Sequence, residues 1–261
     1  MAGTIDAALG STYLQMFDSC IINPEKYPEI DGYINKMLAN KATYDDVSAQ
    51  LNIPWNFIAI IHCMEGDLNF RTHLHNGDPL TARTVHVPKG RPLAGEPPFS
   101  WEESAVDALT IEGFAAWTDW SIQGMLYNFE KYNGMGYRGK GINSPYLWSY
   151  SNYYTKGKYG DDGVYNSELV SQQCGAAVLL RRMSEKQVAV SGETDTITQI
   201  KQLGAHVQYD PQNYHADAEN LQTLLNTVGL HLRVDGKAGD NTSAAYKQIS
   251  GVYLDGDTRQ D

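Results

Sequence analysis

The chain has 261 residues, 42% of them hydrophobic, enough for a sizeable core in one or two domains. A formal net charge of −11 excludes the basic footprint of a nucleic-acid binder, but not a carbohydrate ligand, which binds through stacking and hydrogen bonds. The 17 tyrosines and 5 tryptophans, many in polar, Gly-rich stretches, suit a surface that grips flat, hydroxyl-rich ligands as well as they suit helix packing.

The N-terminal stretch lacks the basic start and long apolar region of a signal peptide, so synthesis in the cytoplasm is expected. No 18-residue apolar span exists, and no membrane insertion is expected. Residues 5–24 read as a helix, with Ile5, Leu9, Leu14 and Phe17 near helical spacing. One or two short helices follow up to Pro54, which can sit at a helix start. Trp55 to Met64, "WNFIAIIHCM", is apolar almost all round and reads as a central buried helix; Glu65 stands at its end, with Gly66 to terminate it. Residues 67–99 carry turn signals at Asn76-Gly77-Asp78-Pro79 and Lys89-Gly90 around the strand-like "TARTVHV", which predicts a small hairpin. Ser100-Trp-Glu-Glu103 is a capping box opening another helix. Residues 117–133 are helical, a long Tyr- and Gly-rich irregular segment follows, and "SELVSQQCGAAVLLRRM" returns to helix. The stretch 184–212 has no strong period and reads as a linker with one short turn at most. Beyond it, Leu221, Leu224 and Leu225 form one helical face that Gly229 ends, and Thr242 caps a second helix. The three cysteines, Cys20, Cys63 and Cys174, lie in apolar helical contexts and read as buried thiols.

The tail residues Leu221-Gln222, Leu225-Asn226, Gly229, Val234-Asp235-Gly236, Gly239, Thr242 and Ala245 resemble the three-helix peptidoglycan-binding module of many cell-wall hydrolases, although Gln248-Ile249 replaces the usual aromatic-Gln ending. Residues 53–183, with "IAIIHCMEGDLNF", "HNGDPLTARTVHVP", "FEKYNGMGYR" and "SPYLWSYSNYY", resemble the lysozyme superfamily in the broad sense that covers phage, goose-type and transglycosylase relatives. The resemblances imply a mainly α chain: a lysozyme-like α+β domain with a small hairpin over 1–205, then a small three-helix module over 206–261. They imply a monomeric muramidase acting on peptidoglycan glycan strands, without a cofactor, that reaches the wall after lysis or specialised secretion. A lytic transglycosylase, a chitinase- or chitosanase-like hydrolase and a non-catalytic wall-binding protein are the alternatives.

Cleaving a glycosidic bond requires an acid to protonate the leaving oxygen. Glu65 follows an apolar helix that would dehydrate it and raise its pKa, which marks it as the acid. In phage-type relatives an Asp and a Thr after the Glu hold the attacking water; Asp78 and Thr84 match that Asp-to-Thr spacing, while the Glu-to-Asp interval is longer than usual. Asp78 reads equally well as a turn residue before Pro79. His62, three residues before Glu65, lies on the same helical side and could hydrogen-bond it. Tyr132, Asn133, Tyr137, Asn143, Tyr146 and Trp148 are the candidate substrate contacts. His62, His73, His75 and His86 lie close together but form no HExxH, so no metal is assigned.

Overall fold

The computed structural model describes residues 5–160, 163–186, 188, 193–228, 230 and 232–260. These form eleven helices and one two-stranded antiparallel sheet, so the chain is mainly α-helical. It divides into two compact units, Met1–Ser191 and Gly192–Asp261.

In the first unit, α1 (Ala7–Asp18) starts where the Asp6 carboxylate accepts from the amides of Ala8 and Leu9, both at 3.1 Å. Helices α2 (Tyr27–Ala39) and α3 (Lys41–Leu51) lead to α4 (Trp55–Gly66), in which every residue from Trp55 to Met64 is buried. An all-apolar helix can only be stable with neighbours on every side. Here α2, α3 and α8 (Ala176–Glu185) supply them. Each of Ile58, Ile60 and Ile61 is fully enclosed, worth roughly 1.5–3 kcal/mol apiece. Gly66 is the last helical residue rather than the terminator. Asp67 and Leu68 both take left-handed conformations (φ 49° and 58°), which strains the backbone just after Glu65.

Helix α5 (Trp101–Ile111) opens with the predicted capping box: the Ser100 side chain accepts from Glu103 N, and Glu103 accepts from Ser100 N. Helix α6 (Ile122–Asn133) packs on α1, and the short α7 (Pro145–Trp148) packs on α6 and α8. Gly175, just before α8, has no room for a side chain: a Cβ there would lie 2.1 Å from the Leu147 carbonyl oxygen.

The hairpin is not where the sequence put it. Residues 81–87 form no strand, because their amides go elsewhere: those of Val85 and His86 to the Asp78 carboxylate, that of Thr84 to the Arg91 carbonyl. Loop 67–99 is instead tied to α5 by side chains. Arg91 makes two 2.8 Å bonds to Asp107, His75 Nε2 lies 2.8 Å from the same carboxylate, and His73 Nδ1 lies 2.8 Å from Ser104 Oγ. The sheet lies in the Tyr-rich segment expected to be irregular: β1 (Lys158–Tyr159) pairs with β2 (Tyr165–Asn166), with Tyr159 opposite Tyr165. Their rings meet edge-on at 5.6 Å, the kind of cross-strand aromatic pair that stabilises so short a ladder. Cys20, Cys63 and Cys174 are buried free thiols.

The second unit holds α9 (Glu193–Gly204), α10 (Ala216–Thr227) and α11 (Asp240–Ser250). Helix α9 occupies the stretch expected to be a linker. Ile200 is fully buried with Leu221, Leu225 and Tyr246, and Leu203 packs on the same cluster. Gln222 is the polar hub: its Oε1 accepts from Asp235 N and Gly236 N, both at 2.9 Å, and its Nε2 lies 3.0 Å from Lys237 O and Thr242 Oγ1. Gly229, expected to end α10, lies outside the described residues.

Candidate active site

Glu65 occupies the penultimate position of α4, the first side chain after ten buried ones. A substantial part of it touches solvent, yet the protein packed around its carboxylate dehydrates it and raises its pKa. A hydrogen bond donated by Tyr146 Oη to Oε1 at 2.7 Å pulls the pKa the other way, and the charge of Glu112, at the end of α5, raises it further. Burial and the Glu65 charge push the phenols of Tyr146 and Tyr132 up as well, so both rings present neutral hydroxyls.

Tyr146 also lines a cavity of about 390 Å³. Asn133, Tyr137, Tyr159, Ser171 and Gln173 share that lining. Tyr137 Oη accepts from Tyr159 N at 3.1 Å, which fixes the hairpin against the end of α6. Gln173 donates through Nε2 to the Met64 carbonyl at 2.6 Å, joining the cavity wall to the last turn of α4. The segment after α6, α7 and the segment before α8 therefore meet at this cavity, which Tyr146 joins to Glu65 and Gln173 joins to the last turn of α4; Glu65 itself is not part of the lining.

Of the expected substrate contacts, Asn133, Tyr137 and Tyr146 line this cavity. Tyr132 lies within electrostatic reach of Glu65 and stacks on Phe114 at 5.9 Å. Trp148 does not belong to the site: it is 2% exposed, with its ring against Tyr153. Asn143 is exposed, donates through Nδ2 to the Tyr153 carbonyl at 2.9 Å, and is not part of the cavity lining.

His62 is also reassigned. Helical spacing gives it the side of Glu65, but α4 is covered all round, and the ring lies 1% exposed among Tyr44, Phe70 and Trp101. Its Nδ1 is 3.0 Å from Tyr44 Oη, and burial lowers its pKa to about 4.

No family model, curated protein or solved structure matches this chain. The roles of its residues therefore rest on its own geometry.

Asp78 and Thr84 lie in one loop and serve it. Asp78 Oδ2 accepts from Val85 N at 2.7 Å and His86 N at 3.0 Å, and Oδ1 lies 2.6 Å from His86 Nδ1. These bonds hold its carboxyl far below the usual range. Thr84 Oγ1 donates to the Pro88 carbonyl and accepts from Arg91 N at 2.9 Å. Both side chains are closed into the loop, with their polar atoms occupied. Among the described residues, no group of three His, Cys, Asp or Glu side chains could hold a metal ion. The sequence reading missed Gln173, Tyr159 and Glu112, which sit in segments with no local signal of chemistry.

Proposed function

We propose that this chain is a lysozyme-type glycoside hydrolase that cleaves the β-1,4 bond between N-acetylmuramic acid and N-acetylglucosamine in peptidoglycan, with Glu65 as general acid. One observation carries the reading: a solvent-reachable carboxyl with a raised pKa, held by Tyr146, a residue that also lines a cavity of aromatic rings and amides. A carboxyl that keeps its proton above the ordinary range can deliver it to the glycosidic oxygen as the bond breaks. The Tyr146 hydroxyl fixes Oε1, leaving Oε2 as the oxygen that meets the leaving group. The mainly helical first unit is compatible with a lysozyme-like domain. The Gln222 hub accounts for the Gln222, Asp235-Gly236 and Thr242 pattern by which the second unit resembles a peptidoglycan-binding module.

A second reading is favoured by the engagement of Asp78. With both its oxygens committed to Val85 and His86, Glu65 has no free partner in Asp78, and a lytic transglycosylase needs only one acid/base carboxyl. There the muramyl 6-hydroxyl replaces water and an anhydro end results. The test is digestion of purified sacculi by wild type and Glu65→Gln, with products weighed by mass spectrometry. Loss of release in Glu65→Gln supports the acid role. Reducing ends identify the hydrolase and anhydro ends, lighter by one water, the transglycosylase. Release from chitin or chitosan but not from sacculi would replace the substrate, and undiminished release by Glu65→Gln would overturn the mechanism.

A further inference from the structure

The cavity that Tyr146 joins to Glu65 holds one charged residue among its described lining: Lys158, on β1. Of the basic residues near it, Lys156 and Arg138 are paired with carboxylates and Lys140 lies over the Tyr165 ring at 5.4 Å, outside the cavity lining. Lys156 Nζ lies 2.7 Å from Glu168, and Arg138 Nη2 lies 2.5 Å from the buried Glu130. Lys158 is half-buried and, among the described residues, makes no ion pair. Its strand is held in place by the Tyr159 amide on Tyr137 Oη and by the packing of Tyr137, Tyr159 and Tyr165. A lysine that lines a polar cavity of a strongly acidic chain, and that makes no ion pair among the described residues, can meet a carboxylate on a ligand.

We propose that Lys158 is a specificity-determining residue that selects glycans bearing a carboxylate, on the sugar itself or on a short peptide attached to it, over neutral and cationic glycans. The inference rests on the reading of this cavity as the glycan site. It deepens that reading by separating muramyl-containing strands from chitin and chitosan: the former carry lactyl and peptide carboxyls, chitin carries none, and chitosan repels the ammonium.

Binding rather than turnover tests it. The full chain carrying Glu65→Gln is titrated with a soluble disaccharide–peptide fragment of peptidoglycan, with the same fragment after amidation of its carboxyls, and with a neutral chito-oligosaccharide. The expected result is tighter binding of the carboxylated fragment, a preference that shrinks with added salt. Adding Lys158→Met should weaken that fragment roughly 10-fold, as expected for one lost charge-assisted bond, and leave the other two unchanged. Lys158→Arg should keep the preference. Equal affinities for all three ligands, no binding of the carboxylated fragment, or an unaltered preference in a folded Lys158→Met chain would overturn the proposal. Undiminished sacculus digestion by Glu65→Gln would overturn the acid assignment alone and leave these binding results standing.

Discussion

At the scale of single residues, Glu65 and His62 are two dehydrated groups three positions apart with opposite consequences. The folded chain raises the Glu65 pKa above its ordinary value, so an ionised Glu65 costs stability as pH rises through that interval. Glu65→Gln keeps the bond from Tyr146 Oη but has no charge to dehydrate. It should lose roughly 10²–10⁴-fold in turnover. It should also melt higher than wild type at pH 7, by a margin that narrows toward pH 4; scanning calorimetry across that range checks this. Glu112→Gln should lower the Glu65 pKa, because it removes a like charge, and shift the alkaline limb of the pH–rate profile down. His62 works the other way. Its folded pKa is about 4, so protonation of the unfolded chain below about 6.5 draws stability away. That loss should accumulate between pH 6.5 and 4, on the order of 3 kcal/mol, and level off below. Urea midpoints of wild type and His62→Phe measured down that range should diverge, the variant holding the flatter line.

At the scale of elements, the loop after α4 takes its shape from Asp78 rather than from strand pairing. Asp78→Asn removes the charge that gathers Val85, His86 and the His86 ring. It should lower the thermal midpoint, with turnover per folded molecule staying within a few-fold of wild type; a loss as deep as that of Glu65→Gln would instead return Asp78 to the chemistry. This loop marks the limit of what the sequence makes legible. The apolar run of α4 announces its own burial and the acid at its end, and the Ser100–Glu103 box announces α5. "TARTVHV" has strand composition, but its fate depends on a carboxylate donated from outside the run. The Tyr159–Tyr165 hairpin is hidden in a Gly-rich stretch until Tyr137 gives it a support. The cavity is harder still to read: Gln173 touches Met64, 109 positions away in the chain, and nothing local to either residue encodes that meeting.

At the scale of the whole molecule, the decisive segment is α9. Ile197, Ile200 and Leu203 stand at helical spacing, but within a polar run too sparse to read as a helix by itself. What makes it a helix is burial. Ile200 is fully enclosed, Gly204 sits where a Cβ would lie 2.1 Å from the Tyr246 ring, and Tyr246 Oη donates to the Lys201 carbonyl at 3.2 Å. A unit this small cannot spare one side of its core, since domains of some 60 residues bury only about 60% of their unfolded surface and are marginal. A fragment starting at residue 206 would uncover Leu221, Leu225 and Tyr246, forfeiting roughly 1.5–3 kcal/mol for Ile200 alone before the exposed partners are counted. Residues 192–261 should therefore fold as an isolated fragment, with helical circular dichroism and a cooperative urea transition, whereas residues 206–261 should show neither. If the second unit is the wall-binding module, only the longer fragment should be retained on sacculi. Equal folding of the two fragments would mean that α9 is carried by the second unit without supporting it.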